Sequence, residues 1–289
     1  MSPDPSAEQP NAEQAAYWNE VSGPKWVSRM EQLDAQLASL GQLAVDRVDP
    51  RPGERALDVG CGCGQSALQL ADRVGSTGRV LGVDLSAPML ARASARAREG
   101  GLSQLDFLEA DAQVYRFESD FDFVFSRFGV MFFQDPVAAF ANLRRALRPG
   151  GRLGFVCWDE IAKNPWMGIP MMALAAHIPL PPPPAPGAPG PFSCADPARV
   201  RGILAAAGFE HAELAAVETR LRVGGGGDVE QALDFLLSVG PASAALKDAS
   251  EAQRAAGADA VREAIRPFVE DADVVMDAAV WVCAAQTAG

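Results

Sequence analysis

The stretch ALDVGCGCGQ, residues 56–65, decides the fold. Ala56 to Val59 reads as a buried strand, followed by a glycine-rich turn and then a helix. Gly60, Gly62 and Gly64 give a G-x-G-x-G spacing. Glycine lets the chain turn tightly and lets a ligand come close to the main chain. The fingerprint for a nicotinamide dinucleotide is G-x-G-x-x-G. Here the third glycine falls one residue early, and Gln65 stands where that fingerprint needs glycine. Asp58 closes the strand. A pyrophosphate seeks helix N–H donors and not a carboxylate, whereas a ligand with a cationic centre tolerates Asp58 well.

The neighbouring segments repeat the strand–helix alternation. Arg79 to Asp84 (RVLGVD) is a short apolar strand ending in an acid about 20 residues past the turn, where doubly wound folds place a carboxylate for a ribose. Two carboxylate oxygens match two vicinal hydroxyl donors. Ser86 is the expected cap of the next helix, with Pro88 in its first turn. Leu105 to Leu108 is a third strand leading into Glu109-Ala110-Asp111-Ala112. Phe121 to Phe125 (FDFVF) is a fourth, and its carboxyl end delivers Ser126 and Arg127 to the side of the sheet where ligands bind. Phe128, Met131 and Phe132 follow, either as the wall of an acceptor pocket or as ordinary helix-to-sheet packing. Asp135-Pro136 starts a helix, Arg148-Pro149-Gly150-Gly151 ends it, and Arg152 to Trp158 is a fifth strand.

Taken over residues 50–160, these segments resemble the class I S-adenosylmethionine-dependent methyltransferases. The likeness is to the ubiquinone/menaquinone-methyltransferase-like small-molecule group (methyltransferase types 11 and 25). S-adenosylmethionine carries a sulfonium and an ammonium but no phosphate, in keeping with Asp58. The resemblance implies an α/β, Rossmann-like doubly wound sheet of seven strands in the order 3-2-1-4-5-7-6, with a late antiparallel hairpin. It implies a cofactor site formed by Asp58, Gly60, Cys61, Gly62 and Gly64 in the turn and by Asp84 at the ribose. Leu85 and Met89 would sandwich the adenine. Asp111 would take the adenine amino group, and the Ala112 N–H a ring nitrogen. Ser126 and Arg127 would face the methyl-transfer region. Trp18 and Trp26 belong to an N-terminal arm (residues 1–48) that in such families closes over the methionine end; packing of the arm onto the core is the alternative. The methyltransferase domain would run over residues 49–289.

The remaining chain is less regular. Residues 159–200 interrupt the alternation with a Met-rich apolar stretch and the run PPPPAPGAPGP, residues 181–191. Pro-rich chain is stiff and extended, so this insertion reads as a cap over the pocket. Trp158 and Met167 would help line it, and Met171 and Met172 add an adaptable apolar surface. An oligomer contact, such as a homodimer, is the other use for it. His177, in the cap, is the first candidate for a general base; Asp159 and Glu160 are the others. The sixth and seventh strands are expected at residues 212–223 and 277–285.

Composition bounds the partners. The chain has 289 residues, 48% of them hydrophobic, and a net charge of −12. No Lys/Arg cluster suits a nucleic-acid backbone, so a nucleic-acid methyltransferase is disfavoured. The five cysteines are odd in number and scattered, which argues against a disulfide framework. Cys61 and Cys63 lack the further ligands a metal needs, so no metal is expected. The polar N-terminus lacks a hydrophobic signal region, and no apolar run reaches membrane-spanning length, so a cytoplasmic protein acting on a small molecule is expected. Methyl transfer to a hydrophobic or aromatic acceptor is the leading function. A non-catalytic cofactor-binding subunit and a NAD-dependent oxidoreductase are the competing ones.

Overall fold

Buried apolar strands and amphipathic helices alternate in the chain, and the computed structural model, which describes residues 11–182 and 184–289, shows what that alternation builds. The first ten residues, expected to be disordered, lie outside the described residues. The arm comprises α1 (Ala12–Ala16), a π-helical turn (Tyr17–Val21) and α2 (Ser22–Ser28), and it leads into the long helix α3 (Met30–Val48). Then come β1 (Arg55–Val59), α4 (Gln65–Val74), β2 (Arg79–Asp84), α5 (Ala87–Glu99), β3 (Leu105–Glu109), β4 (Phe121–Arg127), α6 (Pro136–Ala146) and β5 (Leu147–Trp158). The second half holds α7 (Pro165–Leu174), α8 (Pro197–Ala206), β6 (Glu210–Arg222), α9 (Val229–Ser238), α10 (Gly240–Ala245), α11 (Glu251–Ile265), β7 (Val269–Glu270) and β8 (Asp273–Gln286).

The sheet order is β3-β2-β1-β4-β5-β8-β6, with the two-residue β7 paired to β8. The five strands from β3 to β5 are parallel. β8 runs antiparallel between β5 and β6. This is the expected Rossmann-like order, with one short extra strand renumbering the last. The central strands β1, β4 and β5 are largely apolar on both faces because helices cover both: Leu57, Phe123, Phe125 and Phe155 have no exposed surface. That continuous apolar reading is the signature of a parallel sheet buried on both sides.

Helix α3 belongs to one of these covering layers. Leu40 and Ala44 are fully buried, and a Cβ on Gly154 of β5 would stand 2.8 Å from Val48 Cβ. Arg152 of β5 donates from Nε to the Val48 carbonyl at 2.9 Å, tying the helix end to the sheet. Ser22-Gly23-Pro24, which by composition should break the arm's helix, lies instead within α2, and the irregularity falls earlier, at the π-helical turn. α7 and α10 were not apparent as helices in the sequence. A proline sits inside α7, and α10 has only six residues, with glycine and proline at its start.

The carboxyl end of β1 holds a buried acid. Asp58 has no exposed surface; its Oδ2 accepts from Ser66 Oγ of α4 at 2.7 Å, and its Oδ1 has no partner among the described residues. Burial pushes its carboxyl from the ordinary 3.8 up to about 7, against the pull of the Ser66 hydroxyl and of Arg127. A carboxyl raised in the folded state favours folding while it is protonated. Its contribution is complete below pH ~4, falls as the pH rises towards 7 and is flat above that.

Two measurements follow. In Asp58→Asn the amide mimics the neutral acid at every pH. The stability gap between this variant and the parent, from urea unfolding, should widen by roughly 2–3 kcal/mol in the variant's favour between pH 5 and pH 8; a constant gap would refute the burial argument. Leu40→Ala should cost about 2–5 kcal/mol and move one cooperative transition, because the helix it empties packs on the central sheet.

Candidate functional site

At the carboxyl ends of the parallel strands lies a cavity of about 880 Å³, with apolar side chains dominating its wall. The glycine turn forms one side of it. Gly60 has φ +69°, and a Cβ there would stand 2.7 Å from Gly129 Cα. Gly62 has φ +55°, and a Cβ there would press on Met89 Cε at 2.8 Å. Both positions thus require glycine for backbone geometry and for space. Gly60, Cys61 and Gly62 line the cavity.

Asp84 ends β2 and points into the same space. Its Oδ2 accepts from the Gly62 N–H at 2.8 Å and its Oδ1 from the Ser86 N–H at 2.9 Å. Burial raises its carboxyl above the ordinary value, and those backbone donors counter the rise. Each oxygen keeps a lone pair for a further donor, so the carboxylate is fixed in orientation and still able to take two hydroxyls. Leu85 and Met89 lie alongside. After β3, Asp111 accepts from the Gln113 N–H at 2.9 Å and from Asn11 Nδ2 at 2.8 Å. The Ala112 N–H, also at the cavity, has no partner among the described residues.

A charged group flanks the other side of the turn. Arg127 pairs with Asp34 of α3 at 3.7 Å and donates to Gln65. Asp34 in turn pairs with Arg96 at 2.9 Å, and Arg96 donates to the Cys63 carbonyl at 2.9 Å. Burial lowers the guanidinium of Arg127, while Asp34 and Asp58 raise it. Asp34 and Arg127 both line the cavity, presenting one anionic and one cationic group together. Burial also raises the Cys61 and Cys63 thiols, Cys63 to about 12. They stay protonated at neutral pH, as small wall residues do.

The far side is aromatic. Phe128 stacks on Trp158 with centroids 4.3 Å apart and planes at 10°. Trp158 also meets Trp166 at 5.3 Å. Phe128 holds φ +60°, a costly conformation for a bulky residue that turns its ring into the wall. Met131, Phe132 and Met167 complete the patch anticipated from sequence, and the Pro-rich segment contributes Pro181, Pro182, Pro184 and Pro191. Trp18 and Trp26, from the arm, face in and touch edge to face at 5.7 Å.

Several anticipated residues sit elsewhere. Asp58 lies beneath the turn, held by Ser66, and does not reach the cavity. Its carboxylate is therefore set back from the cavity, and the charge preference inferred from it rests instead on Asp34, Asp84, Asp111 and Glu160, which line the cavity with, among the described residues, a single basic side chain, Arg127. Gly64 packs on Ala93 of α5, at 2.9 Å from a Cβ built on it. Ser126 is fully buried; its hydroxyl donates to the Val59 carbonyl at 2.7 Å and accepts from the Gly129 N–H at 3.2 Å. It braces the turn from behind. His177 is exposed in the turn that follows α7 and is absent from the wall. Asp159 is tied to Lys163 Nζ at 2.9 Å, leaving Glu160 as the cap-side carboxylate at the cavity. Ser86 does not cap α5; its hydroxyl donates to the Trp18 carbonyl at 2.8 Å. Asn11, Asp34 and Val239–Ala244 were missed. Asp34 sits one residue after Leu33 on the apolar side of α3, a weak sign of an inward acid.

No helix among the described residues is long and apolar enough to cross a membrane. Residues 56–151 match the family model described as a methyltransferase domain. Aklanonic acid methyltransferase DauC of Streptomyces sp. (strain C5) is 38% identical over 117 residues, 40% of this chain and 53% of that one. Nocamycin O-methyltransferase of Saccharothrix syringae is 40% identical over 111 residues, 38% of this chain and 40% of that one. The chain spans about half the length, or less, of these curated relatives. Among solved structures, a methyltransferase-titled protein of Bacillus halodurans C-125 superimposes with TM-score 0.57 at 19% identity, covering 87% of this chain and all of that one. A [4+2]-cyclase, SpnF, has TM-score 0.54 at 24% identity over 87% of this chain and 82% of its own; both share the fold. With the glycine turn, the acid ending β2 and the sheet order, these matches make residues 56–151 similar to a methyltransferase domain, set in the Rossmann-like fold that the solved structures share.

Proposed function

We propose that the protein transfers a methyl group from S-adenosylmethionine to a small hydrophobic or aromatic molecule bound in the cavity. One observation carries this reading. The cavity sets four carboxylates (Asp34, Asp84, Asp111 and Glu160) against one guanidinium, a balance suited to a cationic nucleoside and hostile to a pyrophosphate. That balance also speaks against a NAD-dependent oxidoreductase.

The residues fit the cofactor along its length. Asp84 has the spare acceptor capacity for both ribose hydroxyls. Asp111 and the Ala112 N–H form an acceptor–donor pair for the adenine edge, with Leu85 and Met89 against its faces. Arg127 and Asp34 match the carboxylate and ammonium of the amino-acid end. Bound there, S-adenosylmethionine supplies an electrophilic methyl whose leaving group is a neutral thioether. The chain's own work is to hold the acceptor in line and keep water out, and the aromatic wall of Phe128, Trp158 and Trp166 does both. An acceptor hydroxyl would need a base, and Glu160, with no ion-pair partner among the described residues, stands at the acceptor side of the cavity. The relatives titled as acting on aklanonic acid and nocamycin are consistent with a small-molecule acceptor. The second reading is cofactor binding without methyl transfer, because Asp84, Asp111 and the glycine turn would hold the cofactor equally well in a non-catalytic subunit.

Calorimetry should detect binding of S-adenosylhomocysteine and none of NAD. Asp84→Ala, its fold checked by circular dichroism, should lose about a hundredfold in affinity for the nucleoside; unchanged affinity would sink the assignment. Labelled-methyl incorporation into phenol, quinol, thiol and amine pools would identify the acceptor and decide against the non-catalytic reading. With a hydroxyl acceptor, Glu160→Gln should reduce kcat by about 10²–10⁴ and leave S-adenosylhomocysteine affinity intact; equal kcat values would remove Glu160 from the role.

A further inference from the structure

The arm forms one wall of the cavity through Asn11, Tyr17, Trp18, Ser22 and Trp26, and two asparagines fasten it. Asn11 is 2% exposed. Its Nδ2 donates to Asp111 Oδ2 at 2.8 Å, and its Oδ1 accepts from the Gln134 N–H at 2.9 Å. Eight residues on, Asn19 repeats the arrangement. Its Nδ2 donates to the Leu85 carbonyl at 2.8 Å, and its Oδ1 accepts from the Ala87 N–H at 2.9 Å. Between these two, Ser86 Oγ donates to the Trp18 carbonyl at 2.8 Å. Each asparagine uses both ends of its amide, which neither an acid nor an apolar residue could do.

The anchor points decide the meaning. Leu85 to Ala87 follow β2 and adjoin Asp84; Asp111 follows β3. The resemblance implies an arm closing over the methionine end, with packing onto the core as the alternative; these bonds anchor it beside the carboxyl ends of β2 and β3. Trp18 and Asn19 both stand on the π-helical turn Tyr17–Val21, a kind of irregular helix frequent at functional sites. The bonds join segments 66 to 123 residues apart in sequence, so they hold the arm down without being part of its own helices.

We propose that Asn11 and Asn19 form a clasp that shuts the nucleoside end of the cavity, so that the cofactor enters, and its product leaves, only when the arm unfastens. Asn11 is also the positioning residue for the Asp111 carboxylate. The clasp rests on the methyl-transfer reading for the identity of the nucleoside. It differs from an ordinary binding contact in its kinetics. A contact that only holds ligand slows release alone. A clasp already closed without ligand slows entry and release together.

Stopped-flow tryptophan fluorescence with S-adenosylhomocysteine tests this on the full chain, with Trp18 and Trp26 as reporters. In Asn11→Ala and in Asn19→Ala, the association and dissociation rate constants should both rise about tenfold, with Kd moving less than either. Trypsin should cut after Lys25 and Arg29 of the ligand-bound variants faster than of the bound parent. Asn19→Asp keeps the side-chain shape and the Ala87 bond but sets a carboxylate against the Leu85 carbonyl, so it should accelerate both steps even if the alanine variant folds poorly. Parental dissociation rates would overturn the clasp, and so would faster release with unchanged entry. A parent that does not bind S-adenosylhomocysteine would instead refute the methyl-transfer reading itself.

Discussion

The Asp84 carboxylate joins two pieces of backbone that would otherwise be independent. It accepts from the Gly62 N–H in the first loop and from the Ser86 N–H at the start of α5. Hydrogen bonds to a charged acceptor are about twice as strong as neutral ones. Here they also hold the carboxylate at one orientation at the edge of the cavity, against the desolvation that burial imposes on it. The turn could not lie this close without the glycine pair Gly60 and Gly129, and Ser126 braces that pair from behind by bonding both Val59 and Gly129. The site therefore depends on a compact polar knot at the strand ends, set in a sheet that is otherwise apolar on both faces.

Much of this was legible in the sequence, and the reasons are local. The spacing of glycines, the acid ending β2 and the helix cap at Asp135 each depend on a few neighbouring residues, and the alternation of strand and helix specified the parallel part of the sheet. Phe128, Trp158 and Met167 follow from the rule that ligands sit beyond the carboxyl ends of parallel strands. What stayed hidden depends on direction or distance. A strand buried on both faces gives no alternation to show which way its last polar residue points, so Asp58 and Ser126 read as ligand contacts although they face the interior. Asn11 meets a partner 100 residues away in sequence, and nothing in its own neighbourhood marks it. His177 was the first candidate for a base because it lies in the cap insertion, but membership of that insertion does not say which way the turn after α7 points, and the residue is exposed.

The charges of the cavity are arranged in space as well as in number. Asp84 and Asp111 occupy the ends of β2 and β3. Asp34 and Arg127 stand together beside the turn, and Arg96 balances Asp34 from α5. A zwitterionic ligand end thus meets a complementary pair already held in place by protein contacts, which lowers the ordering cost of binding. The opposite side offers aromatic rings and almost no hydrogen-bonding groups. The cavity has a polar half that orients and an apolar half that selects by shape.

The apolar half has a wall of unusual make-up. Pro181, Pro182, Pro184 and Pro191 present rings and no amide hydrogens, so this stretch can face a greasy molecule without stranding a backbone donor. Proline also fixes its own φ, so the wall resists local bending. Met167 and Met171 are the compliant parts of the same lining. Stiffness and give are therefore both present in one chamber. A molecule in the cavity could gain bulk against the methionines through side-chain adjustment, whereas added bulk against the prolines would require the main chain itself to yield.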